Sequence, residues 1–207
     1  MIIKAVAFDY GGVICYTPPP ENISEISELC GVTAETICEL NRKFRGEWDN
    51  GNNNGPEYYR FILSAINVFP SDETLEKLAQ TDMGGWKRIN QDTVRLMMDT
   101  KAAGLKLGIL SNMPHDFLAW ARQNIPVLSE ADTAVFSCEY NLIKPEAAIY
   151  EKLKNSLGCE FKEIVFFDDM ADNILKAREL GIEGFVWEGA QAARETLKGF
   201  GGLFTAL

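Results

Sequence analysis

Five short apolar runs punctuate this chain: Ile2–Phe8, Leu105–Leu110, Ala134–Phe136, Glu163–Phe167 and Gly184–Trp187. The stretches that follow most of them, Pro114–Asn124, Pro145–Leu157, Ala171–Leu180 and Ala190–Leu197, read as helices, as does Asp92–Ala103 before the second run. Strands that alternate with helices predict a parallel sheet covered on both faces. One interval breaks the alternation. From about Glu21 to Ile89 the texture is helical throughout, with Ile23, Ile26, Leu29 and then Ile37, Leu40, Phe44 at three- and four-residue spacing. Tyr58–Ile66 and Glu73–Trp86 continue it beyond the break at Asn50-Gly51-Asn52-Asn53-Asn54-Gly55. The expected architecture is therefore α/β: a Rossmann-like, doubly wound parallel sheet from residues 1–16 and 90–207, with a small all-helical unit, 17–89, inserted after the first strand.

Sheets of this kind bind ligands beyond the carboxyl ends of their strands, and the polar residues Asp9, Ser111, Asn112, Asp168 and Asp169 stand at those ends. Each has two readings. Asp9, followed by Gly11-Gly12, is either a turn-forming aspartate or a carboxylate presented rigidly in the crevice. Asp168-Asp169 pairs like charges, which at ~4 Å and an effective dielectric of ~20 costs about 4 kcal/mol. A hard, oxygen-ligated cation such as Mg2+ relieves that cost, or one of the pair, or Asp172, caps the next helix. Ser111-Asn112 offers either oxyanion donors or a helix N-cap. Lys144, before Pro145 at an expected helix start, is either a solvated surface lysine or a cation for the site.

Composition narrows the partners. Net charge is −10, and no basic stripe offsets it, which argues against nucleic acid. No apolar run is long enough to span a bilayer, and the first residues lack a signal-peptide pattern, so the expected compartment is the cytoplasm. The five cysteines have no C-x-x-C spacing and are expected to be reduced core thiols. The single histidine, His115, rules out a His-rich metal site.

Four segments, in order, resemble the motifs of the haloacid dehalogenase-like (HAD) superfamily: Phe8-Asp9-Tyr10-Gly11-Gly12-Val13, Leu110-Ser111-Asn112, Lys144-Pro145-Glu146, and Val165-Phe166-Phe167-Asp168-Asp169 followed by Asp172-Asn173. Within it, Lys144–Tyr150 and Phe166–Ile174 are similar to a bacterial α-glucose-1-phosphate phosphatase and to the phosphatase domain of soluble epoxide hydrolase. The resemblance implies a phosphatase for a small phosphorylated metabolite, with the helical insertion as its cap. Asp9 would form an aspartyl-phosphate, and Lys144 would act as counter-charge. Ser111 and Asn112 would bind phosphoryl oxygens. Mg2+ would sit on the Asp9 carboxylate, the Gly11 carbonyl and Asp169, with Asp168 close by.

The sequence departs from the phosphatase pattern at one position, where Gly11 replaces a second aspartate that serves as general acid. A good leaving group, such as that of an anomeric sugar phosphate, would lessen the need for that acid. Glu47, Asp49 or His115 are alternative proton donors, and Arg45, Trp48 and Asp49 are candidate substrate contacts. Two other functions compete. A dehalogenase of the same fold also lacks the second aspartate, but needs no metal and has no paired aspartates in its fourth motif. A catalytically weak binding or regulatory homologue would have no use for Asp9, Lys144 and Asp169 together.

Overall fold

A computed structural model describes residues 2–201; position 1 and positions 202–207 of the expected core segments lie outside the described residues. Five parallel strands, β1 (Ala5–Phe8), β2 (Lys106–Ser111), β3 (Thr133–Phe136), β4 (Ile164–Asp168) and β5 (Glu183–Val186), form one sheet in the order β3-β2-β1-β4-β5. All four residues of β1 are buried. Side chains alternate across a strand, so Val6 and Phe8 join Leu107, Ile109, Val165 and Phe167 in one core, while Ala5 and Ala7 join Leu110, Ile164 and Phe166 in another. Helices α6 (Gln91–Ala102), α7 (His115–Asn124) and α11 (Ala190–Lys198) supply residues to the first core. Helices α9 (Ala147–Leu157) and α10 (Ala171–Glu179) supply the second. The expected doubly wound sheet is present.

From β1 the chain builds outward through β2 and β3, then returns to β1's other side for β4. That reversal opens a crevice at the carboxyl ends of β1 and β4. The register fixes what lines it. Phe8 lies level with both Ile109 and Phe167, so the next residue, Asp9, comes level with Leu110 and Asp168.

Between β1 and β2 lie α1 (Pro20–Cys30), α2 (Ala34–Phe44), the single turn α3 (Gly46–Asp49), α4 (Gly55–Ser64) and α5 (Asp72–Gly85). They have a core of their own, including Ile26, Ile37, Trp48, Tyr58, Ile62 and Leu78. The two strands of chain that lead in and out run side by side, with Tyr16 N–H donating to Arg88 O at 2.8 Å and Asn90 N–H to Ile14 O at 2.9 Å. Among the described residues the remaining α-helix is the single turn α8 (Val127–Glu130).

Two local expectations are corrected. Pro145 does not open α9, which starts at Ala147 with Glu146 as its N-cap residue in extended geometry, so Lys144 lies in the loop before it. Asp172 does not cap α10. It lies inside the helix's first turn, and Met170 holds the N-cap position with no side-chain cap; Asp168 Oδ1 accepts the Met170 N–H at 2.8 Å.

Phe166 is fully buried on β4 and meets Tyr150 edge-on at 6.1 Å. Phe166→Ala is expected to lower unfolding stability by ~3–5 kcal/mol, measured by urea titration.

Candidate active site

Asp9 leaves β1 into a wide turn, Tyr10–Ile14, closed by Cys15 N–H donating to Tyr10 O at 2.9 Å. Its Oδ1 accepts from Tyr10 N–H at 2.6 Å and pairs with Lys144 Nζ at 2.9 Å. Lys144 is the hub. Its side chain is 1% exposed, and the ammonium also reaches Asp168 Oδ2 at 2.6 Å and Leu110 O at 3.1 Å, which uses all three of its donors. The reading of Lys144 as a solvated lysine therefore falls. The side chain of Asn112 holds the Lys144 backbone like a strand neighbour: Oδ1 accepts Lys144 N–H at 2.8 Å and Nδ2 donates to Lys144 O at 3.1 Å.

Asp168 is fully buried. Besides Lys144 and Met170 N–H, it accepts from Asn173 Nδ2 at 2.9 and 3.1 Å, and Asn173's own carbonyl accepts the Tyr150 hydroxyl at 2.9 Å. Asp169 points back at the Gly12 turn. Gly12 has φ +70°, and a Cβ there would fall 2.4 Å from Asp169 Oδ2, so both the backbone conformation and the close approach call for glycine.

Asp9, Asp168 and Asp169 each bring a carboxylate oxygen within 4.8 Å of the others, against one ammonium. Burial pushes the Asp9 carboxyl up to about 7, with Lys144 opposing and Asp168 reinforcing the rise. Burial, and then Asp168, also raises Asp169. With Asp168 engaged on both oxygens, Asp9 and Asp169 are the carboxylates with capacity to spare. An all-oxygen donor set with surplus negative charge fits a hard divalent cation.

Asp9, Lys144 and Asp169 open onto a cavity of about 440 Å3 between the sheet and the helical insertion. Ser111 and Asn112 line it, although the nearest partner of Ser111 Oγ is Asn112 O at 3.4 Å. Neither residue caps α7, whose N-cap residue is Pro114. Gly11 also lines the cavity. From the insertion, Arg45 and Asp49 face it, joined by Arg45 Nε to Asp49 Oδ1 at 3.1 Å. Trp48 does not line it; it is fully buried and donates to Asp116 Oδ1 at 3.0 Å. Glu47 and His115 are exposed and stand outside the cavity lining.

Sequence reasoning missed two residues. Asp82 receives Arg45 Nη1 on both oxygens (3.0 and 2.9 Å), the Tyr59 hydroxyl at 2.7 Å and Trp86 Nε1 at 3.3 Å. Its signal was a carboxylate inside an apolar stripe, Leu75, Leu78, Ala79, Asp82. Trp86 packs over Gly11, where a Cβ would lie 3.3 Å from the ring, and its carbonyl accepts the Tyr10 hydroxyl at 2.8 Å. Nothing in the sequence pairs positions 11 and 86.

Comparison with known proteins gives the family and the fold. The family described as haloacid dehalogenase-like hydrolase matches residues 3–181. A protein named as a phosphatase in Mycobacterium tuberculosis is 24% identical over 205 residues, covering 94% of this chain and 92% of its own. A HAD family enzyme of Bacteroides thetaiotaomicron, solved in complex with magnesium and inorganic phosphate, superposes with a TM-score of 0.71 at 22% identity, over 89% of this chain and 93% of that one. The L-2-haloacid dehalogenase RSc1362 also reaches 0.71, at 18% identity over 91% and 87% of the two chains. Fold alone thus does not separate the two chemistries.

Removing the hub tests the network directly. Lys144→Met leaves Asp168 and Asp9 buried without their cation, and is expected to cost ~3–5 kcal/mol of unfolding free energy, read by urea titration in EDTA.

Proposed function

Since the chain belongs to the haloacid dehalogenase-like hydrolases, we propose that it is a Mg2+-dependent phosphomonoesterase for a small phosphorylated metabolite such as a sugar phosphate, with residues 17–89 acting as its cap. The charge balance around Asp9 carries the reading: three clustered carboxylates face a single ammonium. A dehalogenase mechanism leaves Asp169 without a task, whereas a metal-assisted attack on phosphorus uses it.

Asp9 Oδ1 is held by Tyr10 N–H and Lys144, which orients the carboxylate and leaves Oδ2 without a protein partner. In this reading Asp9 attacks phosphorus and water later releases phosphate from the aspartyl-phosphate. Lys144 offsets the repulsion between a carboxylate and a phosphate dianion. Ser111 Oγ and the second N–H of Asn112 Nδ2 are the donors for phosphoryl oxygens. Asp168 touches no substrate in this scheme; it positions Lys144 through Oδ2 and the start of α10 through Met170 N–H. Mg2+, held by Asp9, Asp169 and the Gly11 carbonyl, would neutralise developing charge on the phosphoryl oxygens. The cavity of about 440 Å3 is of a size for a small metabolite.

The test is a panel of phosphate esters assayed with Mg2+ or with EDTA, for wild type and Asp9→Asn. Hydrolysis is expected only with the metal and is expected to fall on the order of 10³-fold or more in the variant. Turnover in EDTA, or turnover that survives Asp9→Asn, would sink the mechanism. Inert esters together with haloacid turnover would establish the dehalogenase instead.

A further inference from the structure

Glycine at position 11 leaves the leaving group without an adjacent acid, and Trp86 packs against the space where a side chain there would begin. We infer that Asp49, on the insertion side of the cavity, is the proton donor to the leaving group, and that it takes the proton back from water in the second step.

The geometry singles Asp49 out. The carboxylates that line the cavity are Asp9, Asp49, Asp169 and Asp172. Asp9 and Asp169 serve the nucleophile and the metal in the proposed reaction, and Asp172 is exposed in the first turn of α10. Asp49 is 8% exposed. One of its oxygens, Oδ1, takes Arg45 Nε, and the other, Oδ2, has no hydrogen-bond partner among the described residues. Among the described residues no side-chain oxygen sealed from solvent is left unpaired, so Oδ2 opens to the cavity. An in-line displacement expels the leaving oxygen on the side opposite the nucleophile. With Asp9 at the sheet, that side is the insertion.

Charge in the insertion favours a protonated Asp49. Arg45 faces two carboxylates. Asp82 receives four donor contacts from Arg45, Tyr59 and Trp86, whereas Asp49 receives one. Burial accordingly holds the Asp49 carboxyl above its ordinary range, against the pull of Arg45. The turn that carries Asp49 is also held in place. The Asp49 carbonyl accepts the Ser137 hydroxyl, Ser137 Oγ accepts Met113 N–H at 2.8 Å, and Asp116 takes both Trp48 Nε1 and Gly55 N–H. The α3 turn is thereby fastened to the sheet domain.

The proton count closes. As the bond from Asp9 to phosphorus forms and the ester bond breaks, the leaving alkoxide takes the Oδ2 proton and departs as the alcohol. Water then attacks phosphorus and passes one proton to the Asp49 carboxylate, releasing hydrogen phosphate and restoring both aspartates.

This assignment rests on the phosphatase reading, and the experiment separates the two. Wild type, Asp49→Asn and Asp49→Glu are assayed with Mg2+ on an alkyl phosphate and on p-nitrophenyl phosphate, whose leaving group needs no proton. Asp49→Asn is expected to lose ~10²-fold or more in kcat/KM on the alkyl ester, and at least about ten-fold less on the aryl ester. This ratio reports the step that expels the leaving group and not the later hydrolysis common to both esters. Asp49→Glu is expected to recover part of the alkyl activity. Equal losses on the two esters would overturn the assignment. Should Asp49→Asn fail to fold, a series of aryl phosphates on wild type and Asp49→Glu decides: the enzyme's rate is expected to depend weakly on leaving-group basicity, more steeply in the variant, and identical steep slopes overturn the idea. If wild type hydrolyses neither ester, the phosphatase reading fails and this assignment with it.

Discussion

A single ammonium group with three acceptors holds the site together. Lys144 Nζ binds the end of β1 through Asp9, the end of β2 through Leu110 O, and the end of β4 through Asp168. Charges buried this deeply repay their desolvation only when their remaining hydrogen-bonding capacity is also met. For Lys144 and Asp168 it is: three acceptors saturate the ammonium, Asn173 and Met170 N–H complete Asp168, and Tyr150 anchors Asn173. The same saturation limits what Asp168 can do. A carboxylate engaged on both oxygens is poorly placed to ligate or react, and Asp9 and Asp169 keep that capacity.

The sheet was legible in the sequence because its signals are local. Apolar runs flanked by helical spacing identify the five strands, and their register alone brings Asp9 beside Asp168. Lys144 was half legible: its residue type suited a phosphate site, but its burial depends on Asn112, thirty-two residues away along the chain. The helix ends were not legible to the residue: Asp172 has the chemistry of a cap, yet α10 begins at Ala171, which places Asp172 inside the first turn. Asp82 was marked only as a carboxylate inside an apolar stripe, with nothing local to name its partners Arg45 and Tyr59, and Trp86 lay beyond reach because its meaning comes from Gly11, across the whole insertion.

Helices α1–α5 are more than a cover. They enclose a core of their own, enter and leave through paired chain segments, and touch the sheet domain through specific polar contacts at Asp116 and Ser137. Those contacts act on the backbone and buried rings of residues 48–55, next to the cavity-facing Arg45 and Asp49. The contacts that seat the insertion on the sheet are thus the same ones that position its cavity-facing ionisable groups.

Trp86 sets the room available at position 11. A side chain introduced at Gly11 would begin 3.3 Å from the indole, and that indole also donates to Asp82, which in turn secures Arg45. A larger residue there requires the ring to give by a few tenths of an ångström, against its bond to Asp82. The size of residue 11, at the floor of the cavity, is thereby mechanically coupled to the placement of the guanidinium at its roof.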